Sequence, residues 1–148
     1  MDRQADGIIE KFAGEHFFLS NFYPASVWID GVKYPTAEHA IQAHKSHNPD
    51  VRATIAAAKT PWEAKRLGRC VLLREDWDAV KEETMIRILR AKFENPFLRH
   101  MLLTTSPKKL VHGNTWNDRY WGVCRGMGKN VLGELLERLR EELSSSET

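Results

Sequence analysis

The sequence predicts a mainly α-helical fold, a compact single domain with a few short strands. Its 148 residues, 42% of them hydrophobic, are enough for one domain with a substantial core. Helix-start signals recur, and the strongest is Thr60-Pro61-Trp62-Glu63, which combines a cap, a first-turn proline and a capping-box glutamate. The last helical segment carries an apolar stripe made of Val131, Leu132, Leu135, Leu136 and Leu139.

The first third of the chain combines turn signals with one helix start. Residues 1–11 are interpreted as an N-terminal lead, residues 12–143 as the folded domain and residues 144–148 as a disordered tail. Phe17-Phe18-Leu19 predicts a short strand, and the Asp30-Gly31 turn predicts a hairpin of residues 26–29 and 32–34. Thr36 is a candidate N-cap for a helix that ends near His47.

The rest of the chain is predicted to be mostly helical. Asn48-Pro49 interrupts the helix from Thr36, and Gly68 ends the helix that begins at Thr60. The other predicted elements are helices over residues 51–58, 76–93, 95–104 and 129–143, with a short strand at 109–112. The longest of these helices should turn Trp77, Val80, Thr84, Ile88 and Ala91 inward.

The composition excludes several classes of protein. With 22 basic and 20 acidic residues, the net charge of +2 gives no electrostatic argument for binding along nucleic-acid phosphates. No apolar run approaches the length of a membrane span, and from the polar N-terminus of mixed charge we expect no secretory signal. Cys70 and Cys124 lie far apart, which favours reduced thiols over a disulfide. We therefore expect a cytoplasmic protein with no membrane association and no obligate protein partner.

The helix that starts at Thr36 carries a polar stripe. At 100° per residue, Glu38, Gln42 and Lys45 fall within about 60° of one another. One interpretation is an ordinary solvated helix face. The other is catalytic, with Lys45 as a nucleophile or electrostatic group and Glu38 as its acid/base partner. Lys45 is a competent nucleophile only if burial or a neighbouring cation lowers its pKa.

Two further segments are candidate binding sites. The first is Ser20-Asn21-Phe22-Tyr23-Pro24, in which the Asn21 amide could form hydrogen bonds to a ligand and Phe22 or Tyr23 could form a wall of the pocket. A simple turn explains this segment equally well. Residues 114–133 mix aromatic rings, a carboxylate and four glycines, which suits a sugar- or nucleotide-sized ligand. Asp118 could hold ribose hydroxyls, and Trp121 could stack on a heterocycle.

The glycines of residues 114–133 have two interpretations. Gly122, Gly126 and Gly128 precede the last helix, so that free backbone N–H groups could cradle a phosphate. The alternative is a glycine-rich turn that enters a core helix, and the spacing matches neither a P-loop nor a dinucleotide fingerprint. His112 is a candidate acid/base group. The histidine spacing argues against a metal site.

Three ordered motifs resemble the YbiA-like, or NADAR, domain family. The first motif lies at residues 18–22, the second at residues 34–45, and the third comprises residues 116–122 and 128–133. The resemblance covers about residues 12–143. The resemblance implies a compact, mainly α fold and cleavage of N-glycosidic bonds. Family members hydrolyse phosphoribosylamino-pyrimidine intermediates of riboflavin synthesis, and others remove ADP-ribose from guanine in nucleic acid. The chain departs from the family pattern at His112, where members often have Glu.

The resemblance also implies roles for individual residues. Lys45 would attack C1 of the ribosyl unit and form a Schiff base, with Glu38 shuttling protons and Asp118 holding ribose hydroxyls or activating water. No metal or redox cofactor is needed. The predicted substrate-binding residues are Ser20, Asn21, Phe22, Gln42, His112, Arg119, Trp121, Gly122, Arg125, Gly128 and Asn130, with both arginines near the phosphate.

Three function classes follow from these expectations. The first is an N-glycosidase that acts on a small nucleotide-like substrate. The second is an ADP-ribosyl-guanine hydrolase with ADP-ribosylated DNA as its substrate, since one flipped-out base requires little protein surface. The third is a binding module for NAD-derived ligands, or ADP-ribose, without turnover.

Overall fold

The structure, a computed structural model, describes residues 7–146 and has the predicted mainly α architecture. A 3-10 helix at Gly14–Leu19 precedes the α-helices. The strands within residues 7–146 are β1 (Ile8–Ile9), β2 (Val27–Ile29), β3 (Val32–Tyr34) and β4 (Lys109–Leu110). The α-helices are α1 (Ala37–Ala43), α2 (Pro49–Ala56), α3 (Pro61–Gly68), α4 (Trp77–Lys92), α5 (Pro96–Thr104) and α6 (Val131–Ser146). Every helix within residues 7–146 is too short or too polar to cross a bilayer.

The described residues form two compact units, and the first contains residues 7–20 and 93–146. There β1 pairs in parallel with β4, with Ile9 opposite Leu110. The predicted apolar stripe of α6 is buried, which confirms the inward face of that helix. The predicted strand at residues 17–19 is wrong, because these residues end the 3-10 helix, where Phe18 and Leu19 are buried while Phe17 is partly exposed.

The second unit, Asn21–Lys92, is built around α1. The hairpin of β2 and β3 is confirmed, and its turn residues Asp30 and Gly31 have φ values of 51° and 78°. These positive φ values fit a two-residue hairpin turn, which favours Asp and Gly. Helices α2, α3 and α4 all pack against α1. Every residue of α1 is buried, so the solvated-face interpretation of its polar stripe is wrong.

Several helix ends differ from the prediction. Helix α1 ends at Ala43 rather than near His47, so Lys45 lies just beyond its C-cap. Helix α2 begins at Pro49, because the Asn48 side chain accepts the Asp50 N–H. Helix α6 continues to Ser146, so that residues 144–146 of the predicted tail are helical. Residues 147–148 and residues 1–6 of the predicted lead lie outside the described residues.

Lys92, the last residue of α4, is a buried lysine. Its ammonium nitrogen lies 5.7 Å from the centre of the Tyr23 ring. Burial lowers the pKa of Lys92 to about 7, whereas an unfolded lysine titrates near pH ~10.4. Between these values the unfolded chain binds more protons than the folded one. The free energy of unfolding therefore rises with pH across this window, and the stability cost of the buried charge is largest below it.

We expect Lys92→Met to remove the rise of the free energy of unfolding with pH. The parent should gain up to about 1.4 kcal/mol of stability per pH unit within the window, relative to the variant. Chemical denaturation at pH 6, 7, 8 and 9 measures the difference. Lys33→Met, at an exposed lysine of β3, is the matched control and should keep the slope of the parent. Equal slopes for the parent and Lys92→Met would contradict this account.

Candidate functional site

The start of α1 is held by a side-chain cap. The Thr36 hydroxyl accepts the backbone N–H of His39, which satisfies one of the free donors of the first turn. The His39 ring, itself buried, lies 2.7 Å from the same hydroxyl and 3.0 Å from the Ala58 carbonyl. The opposite end of the helix is anchored by His44, whose ring donates to the Ala40 carbonyl. These contacts fix the rotation of α1, and with it the direction of its polar side chains.

Three predicted site residues come together at the start of α1. Asn21 accepts the Glu38 N–H through its carbonyl at 3.0 Å, which places residue 21 at the helix start. The Gln42 amide donates to the Glu38 carboxylate at 2.7 Å. The side-chain oxygens of Asn21 and Gln42 are buried and have no hydrogen-bond partner among the described residues. Because buried polar atoms are normally satisfied, these two oxygens are suited to accept hydrogen bonds from a ligand.

Lys45 lies close to this polar cluster. Its backbone N–H donates to the Gln42 carbonyl at 3.3 Å, and its own carbonyl accepts the Arg74 N–H at 2.8 Å, so the residue is fixed although it lies beyond α1. The pKa of Lys45 is lowered mainly by the partial burial of its amine. The negative charge of Glu38 opposes this shift, and the positive charges of Arg69 and Lys65 add to it. Desolvation and nearby cations are the two conditions that make a lysine amine nucleophilic.

A glycine of the neighbouring helix leaves space for the Gln42 amide. A Cβ atom at Gly68 would overlap the Gln42 side-chain oxygen and would lie 2.7 Å from its Cδ atom. Gly68 is therefore required by a side chain of the cluster and not only by the end of α3. Sequence analysis identified Gly68 as a helix stop and missed this contact.

We expect Gly68→Ala to destabilise the protein. Glycine-to-alanine changes in helices usually stabilise by roughly 0.5–1 kcal/mol, but overpacking against Gln42, which costs about 1–3 kcal/mol, should outweigh this gain. Thermal unfolding measures the sign. The cost should shrink in a Gln42→Ala background, because the overlapping amide is then absent. Gly7→Ala has open space around its Cβ and serves as the control. An increase in thermal stability for Gly68→Ala would contradict the proposed overlap.

The first unit contains the other motif residues. Asp118 accepts the N–H groups of Tyr120 and Trp121 through one carboxylate oxygen, at 3.2 and 2.9 Å. Its own N–H donates to the Asn114 side chain at 2.9 Å. The Asn114 amide in turn donates to the Asp118 carbonyl at 2.9 Å. Asp118 thus builds the turn that positions Trp121, and their roles in substrate binding remain predictions.

The backbone N–H groups that lead directly into α6 are used within the fold. The N–H groups of residues 129–132 donate to the backbone carbonyls of Arg119, Gly122, Tyr120 and Trp121. Gly122 and Gly128 are accounted for by close backbone packing, since a Cβ at Gly128 would overlap the Gly122 carbonyl. The glycine-rich-turn interpretation therefore explains this segment better than a phosphate cradle at the helix start.

The remaining predicted binding residues of the first unit differ in their surroundings. His112 stacks on Phe12, with ring centres 5.5 Å apart. Asn130 is buried and uses both polar atoms within the fold, donating to the Leu110 carbonyl and accepting the His112 N–H, both at 2.9 Å. Arg119 and Arg125 are exposed, and Ser20 caps the 3-10 helix through its N–H.

Possible metal ligands and the two cysteines are placed as follows. Within residues 7–146, no three His, Cys, Asp or Glu side chains are grouped so that they could hold a metal ion. Cys70 is exposed and Cys124 is buried, and both are free thiols as predicted. Lys65 and Arg69, which act on Lys45, were missed by sequence analysis. Their i, i+4 spacing on a well-capped helix was the available signal.

Comparisons with known proteins agree with the motifs. The protein-family model described as "NADAR domain" matches residues 9–144 of the chain. The chain is 46% identical to "N-glycosidase YbiA" of Escherichia coli over 130 residues, which cover 85% of this chain and 81% of that protein. The chain is also 40% identical to "Riboflavin biosynthesis protein PYRR, chloroplastic" of Zea mays over 144 residues. This match covers 84% of this chain and 23% of that protein.

The fold is also found among solved structures. The NMR structure of the Escherichia coli protein YbiA matches with a TM-score of 0.86 and 41% sequence identity. The match covers 96% of this chain and 88% of the other.

Proposed function

The chain belongs to the NADAR domain family, and we propose that it is an N-glycosidase which hydrolyses a (phospho)ribosylated amino-pyrimidine or a related nucleotide-like substrate. The observation that carries this proposal is the lowered pKa of the Lys45 amine near the buried Glu38–Gln42 pair. An amine that loses its proton more readily and a carboxylate held by an amide are the two groups that covalent cleavage at an anomeric carbon requires.

The reaction begins with the neutral Lys45 amine. Its lone pair forms a bond to C1 of the ribosyl unit, while the C1–N bond breaks and its electron pair leaves with the heterocycle. Glu38, as a carboxylate, accepts a proton from the Lys45 nitrogen as this nitrogen bonds to C1, and passes the proton to the leaving nitrogen. The product of this half-reaction is a sugar attached to Lys45.

Release of the sugar uses the same two groups. The C1–O bond of the ribose ring breaks as Glu38 carries the remaining Lys45 N–H proton to the ring oxygen, and the Lys45 nitrogen forms a double bond to C1. Water then adds to C1 of this Schiff base with Glu38 as the base, and collapse of the adduct frees the amine and the sugar. Asn21 and Gln42 accept hydrogen bonds from the substrate through their buried side-chain oxygens.

Product analysis with two substrates tests the proposal. The chain is incubated with a phosphoribosylamino-pyrimidine and, separately, with ADP-ribosylated DNA, and the released base and sugar are quantified. We expect cleavage of the phosphoribosylamino-pyrimidine. Cleavage of the DNA substrate alone would assign the chain to ADP-ribosyl-guanine hydrolysis. Thermal stabilisation by ADP-ribose without any product would identify a binding module instead.

A further inference from the structure

Helix α3 presents aromatic and basic side chains on one side. At 100° per residue, Trp62, Lys65, Arg66 and the C-cap residue Arg69 fall within about 100° of one another. Gly68, which contacts Gln42, lies on the same helix. We call Trp62, Lys65 and Arg69 the α3 stripe.

The Trp62 indole is largely exposed to solvent and contacts a second aromatic ring. It is 64% exposed, and its ring meets the Phe22 ring edge to face, with centres 4.8 Å apart. The Lys65 ammonium lies 5.9 Å from the Trp62 ring centre and 6.0 Å from that of Phe22. An indole that is largely exposed, contacts a second aromatic ring and has a cation nearby offers a flat surface on which a heterocycle can stack.

Exposure alone does not distinguish Trp62. Trp28, on β2, is equally exposed at 63%. The difference lies in the neighbours, because Trp62 adjoins Phe22, the residue next to Asn21, and Asn21 accepts the Glu38 N–H. The positive charges of Lys65 and Arg69 also act directly on Lys45. The α3 stripe is therefore continuous with the cluster of Glu38, Gln42 and Lys45.

We propose that the α3 stripe is the subsite for the heterocycle and phosphate of a nucleotide-like substrate. This inference rests on the proposed function, since it places the leaving heterocycle on Trp62 while Lys45 attacks C1. Lys65 and Arg69 bind the phosphate, the group that a guanidinium and an ammonium recognise best. The stripe selects for phosphorylated, aromatic substrates and against free sugars.

Equilibrium binding of CMP, cytidine and ribose 5-phosphate to the full chain tests this subsite without turnover. Trp62→Ala should weaken the binding of CMP and cytidine about 5- to 150-fold, the range for lost base stacking, and leave ribose 5-phosphate unchanged. Trp62→Phe should restore most of the loss. A Lys65→Met, Arg69→Met variant should weaken CMP and ribose 5-phosphate but not cytidine. Thermal unfolding of each variant checks that it folds.

The equally exposed Trp28 provides a matched control. Trp28→Ala should bind all three probes like the parent. If Trp62→Ala weakens CMP no more than Trp28→Ala does, the stacking role is overturned. If the double variant binds CMP like the parent, the phosphate role is overturned. Parent protein that binds CMP through the stripe but cleaves neither test substrate would contradict the proposed function and support the subsite.

Discussion

Lys45→Met should lower kcat for N-glycoside cleavage by a factor on the order of 10³ or more, because the variant lacks the amine that attacks C1. Lys45→Arg should be nearly as inactive. It keeps the positive charge but cannot supply a neutral amine at neutral pH. If Lys45→Arg retains most of the activity, Lys45 acts electrostatically and water attacks C1 directly with Glu38 as the base.

Reduction with borohydride during turnover provides a direct readout of the covalent step. The parent should form a stable adduct of protein and sugar that mass spectrometry locates at Lys45, and neither variant should form it. The absence of an adduct in an actively turning-over parent would contradict the Schiff base.

The pH dependence of kcat/KM also tests whether the neutral Lys45 amine is the nucleophile. Because only the neutral amine attacks, kcat/KM should rise with pH and level off above the lowered pKa of Lys45, below the ordinary lysine value of 10.5. Removing the positive charge of Lys65, which helps to lower this pKa, should move the rise to higher pH.

Glu38→Gln should lower kcat by roughly 10²- to 10⁴-fold, the usual contribution of a positioned general acid/base. The substitution keeps the size of the side chain and an oxygen that can accept the Gln42 amide, so that the fold should be preserved. It also removes the negative charge that raises the pKa of Lys45. Lys45 should therefore be less protonated in the variant, and a loss of activity could not be ascribed to a protonated nucleophile.

Steady-state kinetics at several pH values, together with thermal unfolding, measure this effect. Glu83→Gln changes an exposed carboxylate of α4 and should have the activity of the parent. Full activity of Glu38→Gln at neutral pH would remove Glu38 from the mechanism.

Local signals predicted much of the second unit. Thr60 caps α3 by accepting the Glu63 N–H at 3.1 Å, as its capping-box spacing indicated. The Glu63 carboxylate, however, accepts the N–H of Lys59 rather than that of Thr60. The Asp30-Gly31 turn forms the predicted hairpin. These features depend on residues within a few positions of one another, which is why the sequence was sufficient to predict them.

The short apolar run at residues 17–19 shows where local signals fail. Three consecutive apolar residues fit a strand and a helix turn equally well, and packing decided for a 3-10 helix. The glycines before α6 show a related limit of local signals. Their spacing suggested open N–H groups, but backbone carbonyls of residues 119–122 occupy the donors of residues 129–132.

The sequence by itself determined the helical class, the helix caps and the order of the family motifs, including the spacing that puts Glu38 and Gln42 on one side of α1, with Lys45 just beyond its C-cap. Only the tertiary structure decided whether that side is solvated. It is buried because α2, α3 and α4 surround α1, and burial depends on segments distant in sequence. The same packing lowers the pKa of Lys45, brings Gly68 against Gln42 and places Trp62 beside Phe22.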